Sequence, residues 1–212
     1  MNRYESPVLK PEALRFNDLT SRDLLFDRTV VDLILNYRPK INSIGDSIMP
    51  LAVGTKAPDF TLSTKTGDGP KQIRLSDNFG KKNTLLLFFP MAFTGTCTTE
   101  MCEVSQGLNA YTDLNAAVYG ISGDNPFAQE AWAQKEKITV PLLSDYEHKV
   151  AKDYGVMYDS FLPQMNLGMS GVAKRSAFVI DKNGVIQYSE SNDDARQLPN
   201  FEKIKAKLEE LK

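Results

Sequence analysis

The sequence predicts an α/β domain, and three observations carry that reading. From about Val53 onward, short apolar strand candidates alternate with amphipathic helical segments. The run Leu85-Leu86-Leu87-Phe88-Phe89 has no polar alternation, which marks a central strand covered on both faces. Near the C-terminus, Lys182-Asn183-Gly184 separates two apolar runs and predicts an antiparallel hairpin, so the central sheet is mixed and flanked by helices.

Each element follows from local chemistry. The strand Thr84 to Phe89 leads through a turn containing Pro90 and Gly95 into a helix that carries Cys102 and runs to roughly Leu108. A strand follows near Val118 to Ile121. Asp124-Asn125-Pro126 then supplies a helix cap and a proline preset for a first turn, opening a helix through Trp132. Pro141-Leu142-Leu143 reads as a short strand. Ser144-Asp145 caps a helix through Tyr154, which Gly155 stops. This places His148 on a solvated helix face, whereas Trp132 reads as core. Ser176 to Asp181 is the next strand, paired with Val185 to Tyr188 across the hairpin. Phe201, Ile204, Leu208 and Leu211 recur at helical spacing and predict a docking helix at the end.

Composition narrows the partners. With 25 basic and 27 acidic residues the net charge is −2, too balanced for a nucleic-acid or anionic-membrane surface. No apolar run approaches the length of a membrane span. Glu5, Glu12, Asp18, Asp23 and Asp27 interrupt the first thirty residues, so a cytoplasmic protein is expected. Two cysteines make no disulfide framework, and the one histidine, far from them in sequence, leaves no structural zinc cluster; no metal is expected.

Both cysteines, Cys97 and Cys102, lie within six residues of each other. Cys97 sits after an apolar strand and a turn, at the start of a helical pattern. Unpaired backbone N–H groups and the positive end of the helix dipole stabilise a thiolate there, and the thiolate is the reactive species. The placement points to redox chemistry at Cys97. A Cys-x-x-Cys oxidoreductase is disfavoured, because four residues rather than two separate the sulfurs.

A reactive cysteine at a strand-to-helix junction in this α/β pattern resembles the thioredoxin fold, and the neighbouring residues resemble the peroxiredoxins. That family's Pro-x-x-x-Thr/Ser-x-x-Cys motif stands complete as Pro90, Thr94 and Cys97. The resemblance extends from about Leu51 to the C-terminus through Gly54 to Leu62, Leu143-Ser144-Asp145 and Lys174 to Asp181. Phe89 to Gly95 looks like the alkyl hydroperoxide reductase E branch, while the Cys-x-x-x-x-Cys spacing looks like the bacterioferritin comigratory protein branch.

The resemblance implies a thiol-dependent peroxidase acting on hydrogen peroxide and organic hydroperoxides, without metal, haem or flavin cofactor. Such chemistry needs an activated sulfur and donors aimed at both peroxide oxygens. Cys97 would be the nucleophile. The Thr94 hydroxyl could donate toward the thiolate or peroxide while accepting from the substrate's hydrogen. Arg175, the family's active-site arginine by resemblance, would favour the thiolate and stabilise charge on the departing oxygen. Pro90 would shield the sulfur from water, and Glu100 would orient the arginine.

Cys102 reads as the resolving cysteine. Five helical positions separate the two sulfurs by about 7.5 Å along the axis, so the α-carbons exceed the usual disulfide range of roughly 4.4–6.8 Å and the first turns must unwind for a bond to form. Cys102 would attack the sulfenic acid on Cys97 and release water, leaving a disulfide for thioredoxin or a similar thiol reductant. The rival from another class is a peroxide sensor or holdase-like binding protein whose partner surface changes when Cys97 is oxidised.

Residues 1 to about 50 lie outside the resemblance and form an N-terminal extension to the domain spanning 51–212. Phe26, Val30, Leu33, Ile34 and Tyr37 follow helical spacing after the potential caps Thr20 and Ser21, and Pro39 ends the segment. Seven basic and seven acidic residues in this extension give no electrostatic preference for a partner. A monomer or a homodimer is compatible with these features.

Overall fold

The computed structural model describes residues 49–165 and 168–212. The expected helix at Phe26 to Tyr37 lies outside these residues.

The sheet has seven strands in the order β2-β1-β5-β4-β3-β6-β7. β1 (Thr61–Thr66) and β2 (Gly69–Arg74) form an antiparallel hairpin at one edge. β3 (Asn83–Phe88) pairs in parallel with β4 (Ala116–Ser122), which pairs in parallel with the short β5 (Leu142–Ser144). β6 (Arg175–Ile180) runs antiparallel to β3 and to β7 (Ile186–Asn192), so the sheet is mixed as expected.

The unbroken apolar run of β3 is explained by its position. Every residue of β3 is buried. Successive side chains point to opposite faces of a strand, so Leu85, Leu87 and Phe89 enter one core while Leu86 and Phe88 enter the other. The first core is covered by α1 (Gly95–Gln106), α2 (Leu108–Asp113), α3 (Pro126–Glu136) and α5 (Phe201–Glu210), through Met101, Tyr111, Trp132, Ile204 and Leu208. The second is covered by α4 (Lys149–Asp153), through Val150, Ala151 and the following Tyr154.

One close approach seats the helix that carries the cysteines. A Cβ on Gly120 would lie 2.9 Å from both Met101 Sδ and Leu142 Cδ2, so β4 needs a residue without a side chain under α1. At the far end, α1 does not continue to Leu108. It stops at Gln106, and Gly107 (φ −94°, ψ 9°) turns the chain into α2.

One hairpin carries no sequence signal, and one expected helix needs correction. The β1–β2 hairpin is not signalled by apolar alternation, because β2 is an edge strand of mostly exposed polar residues beginning Gly69-Pro70. The helix expected from Ser144-Asp145 to Tyr154 is only Lys149–Asp153: Ser144 closes β5, and the Asp145 carboxylate reaches forward to accept from the N–H groups of Val150 and Ala151. The intervening turn puts His148 in the left-handed region (φ 57°) at the helix cap. Its half-buried ring is not on a solvated face but packs against backbone, where a Cβ on Gly123 would come within 2.4 Å of it.

Candidate active site

The β3-to-α1 junction brings Cys97 to the first helical turn, where backbone N–H groups have no intrahelical partner. Cys97 is 1% exposed, and the strand adjoining β3 on its other side delivers Arg175 as its first residue. Arg175, itself 1% exposed, engages a partner through each of its three guanidinium nitrogens. Nη2 donates to Cys97 Sγ at 3.2 Å, Nη1 donates to Glu100 Oε2, and Nε donates to the Ala195 carbonyl at 2.9 Å. Cys97, Glu100 and Arg175 therefore form one buried cluster, as the motif implies.

Burial sets the electrostatics. It pushes the Glu100 carboxyl up to about 7, against the opposing pull of Arg175. Burial also works against the Arg175 cation, but Glu100 and Cys97 more than offset it and hold its pKa above the ordinary value. Glu100 Oε1 has no hydrogen-bond partner, so the carboxylate is tied to the site through one oxygen alone.

Thr94 caps α1 with an extended backbone (φ −95°, ψ 150°). Its hydroxyl donates to the Met91 carbonyl at 2.9 Å rather than toward the sulfur. The expected donation to thiolate or peroxide is thus already spent on the loop; what Thr94 Oγ1 still offers an incoming peroxide is acceptance. Pro90 is buried two residues after β3 and also lines a separate cavity of about 320 Å³ with Met91, Asp124 and His148.

Both cysteines are free. Cys102 is half-buried on α1, with Sγ donating to the Glu136 carbonyl at 3.6 Å. Burial pushes its thiol pKa up, and the Glu136 carboxylate adds to the shift. In this arrangement Cys102 is a protonated thiol held against α3.

Three residues of the site were not singled out for these roles from sequence. Asp124, read only as part of a helix cap, is the anchor of the nucleophile loop: its Oδ2 accepts from the Ala92 N–H at 2.8 Å and from Ser122 Oγ at 2.7 Å, while Asn125 caps α3. Ala195 acts through its carbonyl alone, which no side-chain pattern reveals. Phe93 adopts φ 63°, a left-handed conformation costing a non-glycine residue about 1 kcal/mol or more. Its ring is 53% exposed and packs on Trp132 with centroids 6.4 Å apart. Among the described residues, no group of three His, Cys, Asp or Glu side chains could hold a metal ion, and no helix is long and apolar enough to cross a membrane.

The chain is similar to known proteins in sequence and in fold. Residues 53–189 match the model of the AhpC/TSA family. A chloroplastic 2-Cys peroxiredoxin of Spinacia oleracea is 36% identical over 152 residues, 68% of this chain and 54% of that protein. The chain thus spans about half the length of the first curated relatives it matches. Alkyl hydroperoxide reductase E of Mycobacterium bovis is 35% identical over 142 residues, 66% of this chain and 85% of that one. Among solved structures, the peroxidoxin BcpB of Mycobacterium tuberculosis superimposes with a TM-score of 0.64 at 28% identity, covering 76% of this chain and 99% of that one. The reduced 2-Cys peroxiredoxin of Plasmodium vivax gives 0.65 at 29% identity, covering 75% and 81%. With residues 53–189 matched by the family model and relatives of this kind in both sequence and fold, the chain belongs to the AhpC/TSA family and is a peroxiredoxin of thioredoxin-like fold.

Proposed function

We propose that this chain is a thiol-dependent peroxidase that reduces hydrogen peroxide and organic hydroperoxides through Cys97. The observation that carries the reading is the Arg175 Nη2 contact with Cys97 Sγ at 3.2 Å inside a buried cluster. A permanent cation beside the reacting sulfur meets the charge that develops when the peroxide bond breaks. In the first step the Cys97 sulfur attacks one peroxide oxygen. A sulfur–oxygen bond forms, the oxygen–oxygen bond breaks, and the departing oxygen takes up a proton to leave as water or an alcohol. Thr94 Oγ1 accepts from the incoming peroxide's hydrogen, and Pro90 keeps bulk water from the sulfur.

In the second step Cys102, after losing its proton, attacks the Cys97 sulfenic acid; a disulfide forms and the hydroxyl leaves as water. Thioredoxin or a similar dithiol then reduces the disulfide and is itself oxidised. The rise in the Cys102 pKa and its seat against Glu136 support a step in which α1 first opens and releases that thiol to water. We place this cycle in the cytoplasm, where a dithiol pool is available.

Stopped-flow mixing of the reduced protein with peroxide, followed by coupled turnover with thioredoxin and its reductase, tests the proposal. Wild type is expected to consume many equivalents of peroxide, and Cys97→Ser none. Consumption of a single equivalent under every reductant would overturn the peroxidase reading in favour of a sensor.

A further inference from the structure

The peptide joining Met91 to Ala92 lies in the turn between Pro90 and α1, and it is held at both of its polar ends. Its N–H donates to Asp124 Oδ2 at 2.8 Å, and its carbonyl accepts from Thr94 Oγ1 at 2.9 Å. No peptide bond among the described residues is cis. In a planar trans peptide the N–H and the carbonyl point in opposite directions and turn together. Fixing the N–H therefore fixes the carbonyl, and the carbonyl fixes the Thr94 hydroxyl. A carbonyl can only accept, so the one hydroxyl hydrogen of Thr94 is spent on it and the oxygen keeps its lone pairs for another donor.

Asp124 is set in place by the sheet and α3, not by the loop it holds. Ser122 Oγ, on β4, donates to the same Oδ2 at 2.7 Å and accepts from Gln129 Nε2 on α3 at 3.0 Å. Ser144 Oγ, on β5, donates to the Asp124 carbonyl at 2.7 Å. All three of these partners are buried. The loop has a reason to move if released: Phe93, next to Ala92, sits in the left-handed region (φ 63°), and such a conformation persists only where its surroundings over-determine it. A hydrogen bond to a carboxylate is roughly twice as strong as one between neutral groups, which suits Asp124 to that task.

We propose that Asp124 is a positioning residue for peroxide reduction: its carboxylate holds the peptide between Met91 and Ala92 so that the Thr94 hydroxyl meets the incoming peroxide as an acceptor. The assignment rests on the role of Thr94 in the mechanism proposed above. Without that hold the peptide can rotate, its carbonyl leaves the hydroxyl, and the Thr94 hydrogen is free to turn toward the substrate.

Stopped-flow oxidation of the reduced, full-length protein by hydrogen peroxide, beside alkylation of Cys97 by iodoacetamide read by peptide mass spectrometry, tests the assignment. The alkylating carbon carries no O–H, so Thr94 has nothing to accept from it. Thr94→Val is expected to slow oxidation by about a hundredfold and Asp124→Ala by at least about tenfold, with alkylation within about twofold of wild type in both. Asp124→Ala added to Thr94→Val is expected to cost less than about twofold more, because its effect passes through that hydroxyl. Asp124→Asn keeps the acceptor in place and is expected to restore oxidation to within about threefold of wild type. Asp124→Glu keeps the charge but is one methylene longer, and is expected to be as slow as Asp124→Ala. Equal losses in oxidation and alkylation, a full Asp124→Ala effect without the Thr94 hydroxyl, or Asp124→Glu faster than Asp124→Asn overturns the proposal. Unchanged oxidation in Thr94→Val overturns the role of Thr94 along with it. The comparison of Asp124→Asn with Asp124→Glu decides the matter even where Asp124→Ala fails to fold.

Discussion

Arg175 Nη2 lies 3.2 Å from Cys97 Sγ although 78 residues separate the two in the chain. The pairing of β3 with β6 creates that contact: Phe88 is opposite Ser176, so the strand that launches the nucleophile loop is zipped to the strand that opens with Arg175. The guanidinium serves two masters, holding Glu100 with one nitrogen and Cys97 with the other. Its removal thus has consequences for both chemistry and fold.

For Arg175→Ala, oxidation of Cys97 by peroxide is expected to slow by two to three orders of magnitude, roughly the effect of losing a donor aimed at developing charge. The same change leaves Glu100 buried without its cation, a loss of about 3–5 kcal/mol if the carboxyl stays ionised. Adding Glu100→Gln is expected to recover much of the stability and none of the rate. Urea unfolding and stopped-flow oxidation of the single and double variants separate the two effects.

The Glu100 carboxyl, pushed up to about 7 by burial, makes stability depend on pH in a definite direction. Between the ordinary carboxyl value of about 4.5 and about 7 the native state holds a proton that the unfolded chain releases. Stability from this group is therefore complete below about 4.5 and is lost as pH rises through 7. Glu100→Gln is expected to flatten that part of the profile. Unfolding free energies of both proteins at pH 5, 6, 7 and 8 provide the check; parallel profiles would show that Glu100 is ionised throughout.

What the sequence revealed and what it hid have physical causes. The two-faced burial of β3 and the hairpin at Lys182-Asn183-Gly184 were legible because burial and turn chemistry leave local marks. The Pro90, Thr94 and Cys97 motif was legible as a resemblance, and it led to Arg175 and Glu100. Asp124 was half-seen, since a carboxylate before a helix reads as a cap even when it holds a loop 32 residues away. Ala195 was invisible because only its backbone participates. The direction of the Thr94 hydroxyl was equally hidden: a hydroxyl can give or take, and the Met91 carbonyl beside it decides which. His148 was misplaced because Asp145 caps α4 from five residues away rather than from its edge.

Gly120 offers a test of how tightly the nucleophile helix must sit. With Gly120→Ala, the new Cβ would meet Met101 Sδ and Leu142 Cδ2 at 2.9 Å, closer than real contacts allow. Either α1 shifts outward or both side chains change rotamer. A destabilisation of about 1–3 kcal/mol is expected, as for other overpacked cores. Urea unfolding measures it, and an unchanged midpoint would show that Met101 moves aside freely.

The last expectation concerns α1 itself. Cys97 and Cys102 lie on one helix, Gly95–Gln106, about 7.5 Å apart along its axis. A disulfide between them cannot form while that helix is intact, because the α-carbons lie outside the range of roughly 4.4–6.8 Å that the bond tolerates. Opening α1 also breaks the Cys102 contact with the Glu136 carbonyl and the Arg175 contact with Cys97. Peroxide treatment of the wild-type protein is expected to yield an intramolecular Cys97–Cys102 bond, with hydrogen-exchange protection lost across α1 and retained in β3 and β6. Cys102→Ser is expected to react once with peroxide, keep its helix and accumulate sulfenic acid, losing turnover with thioredoxin. Peptide mass spectrometry and hydrogen exchange on the two proteins measure these outcomes. Full thioredoxin-linked turnover by Cys102→Ser would assign resolution to an external thiol and remove the need for α1 to open.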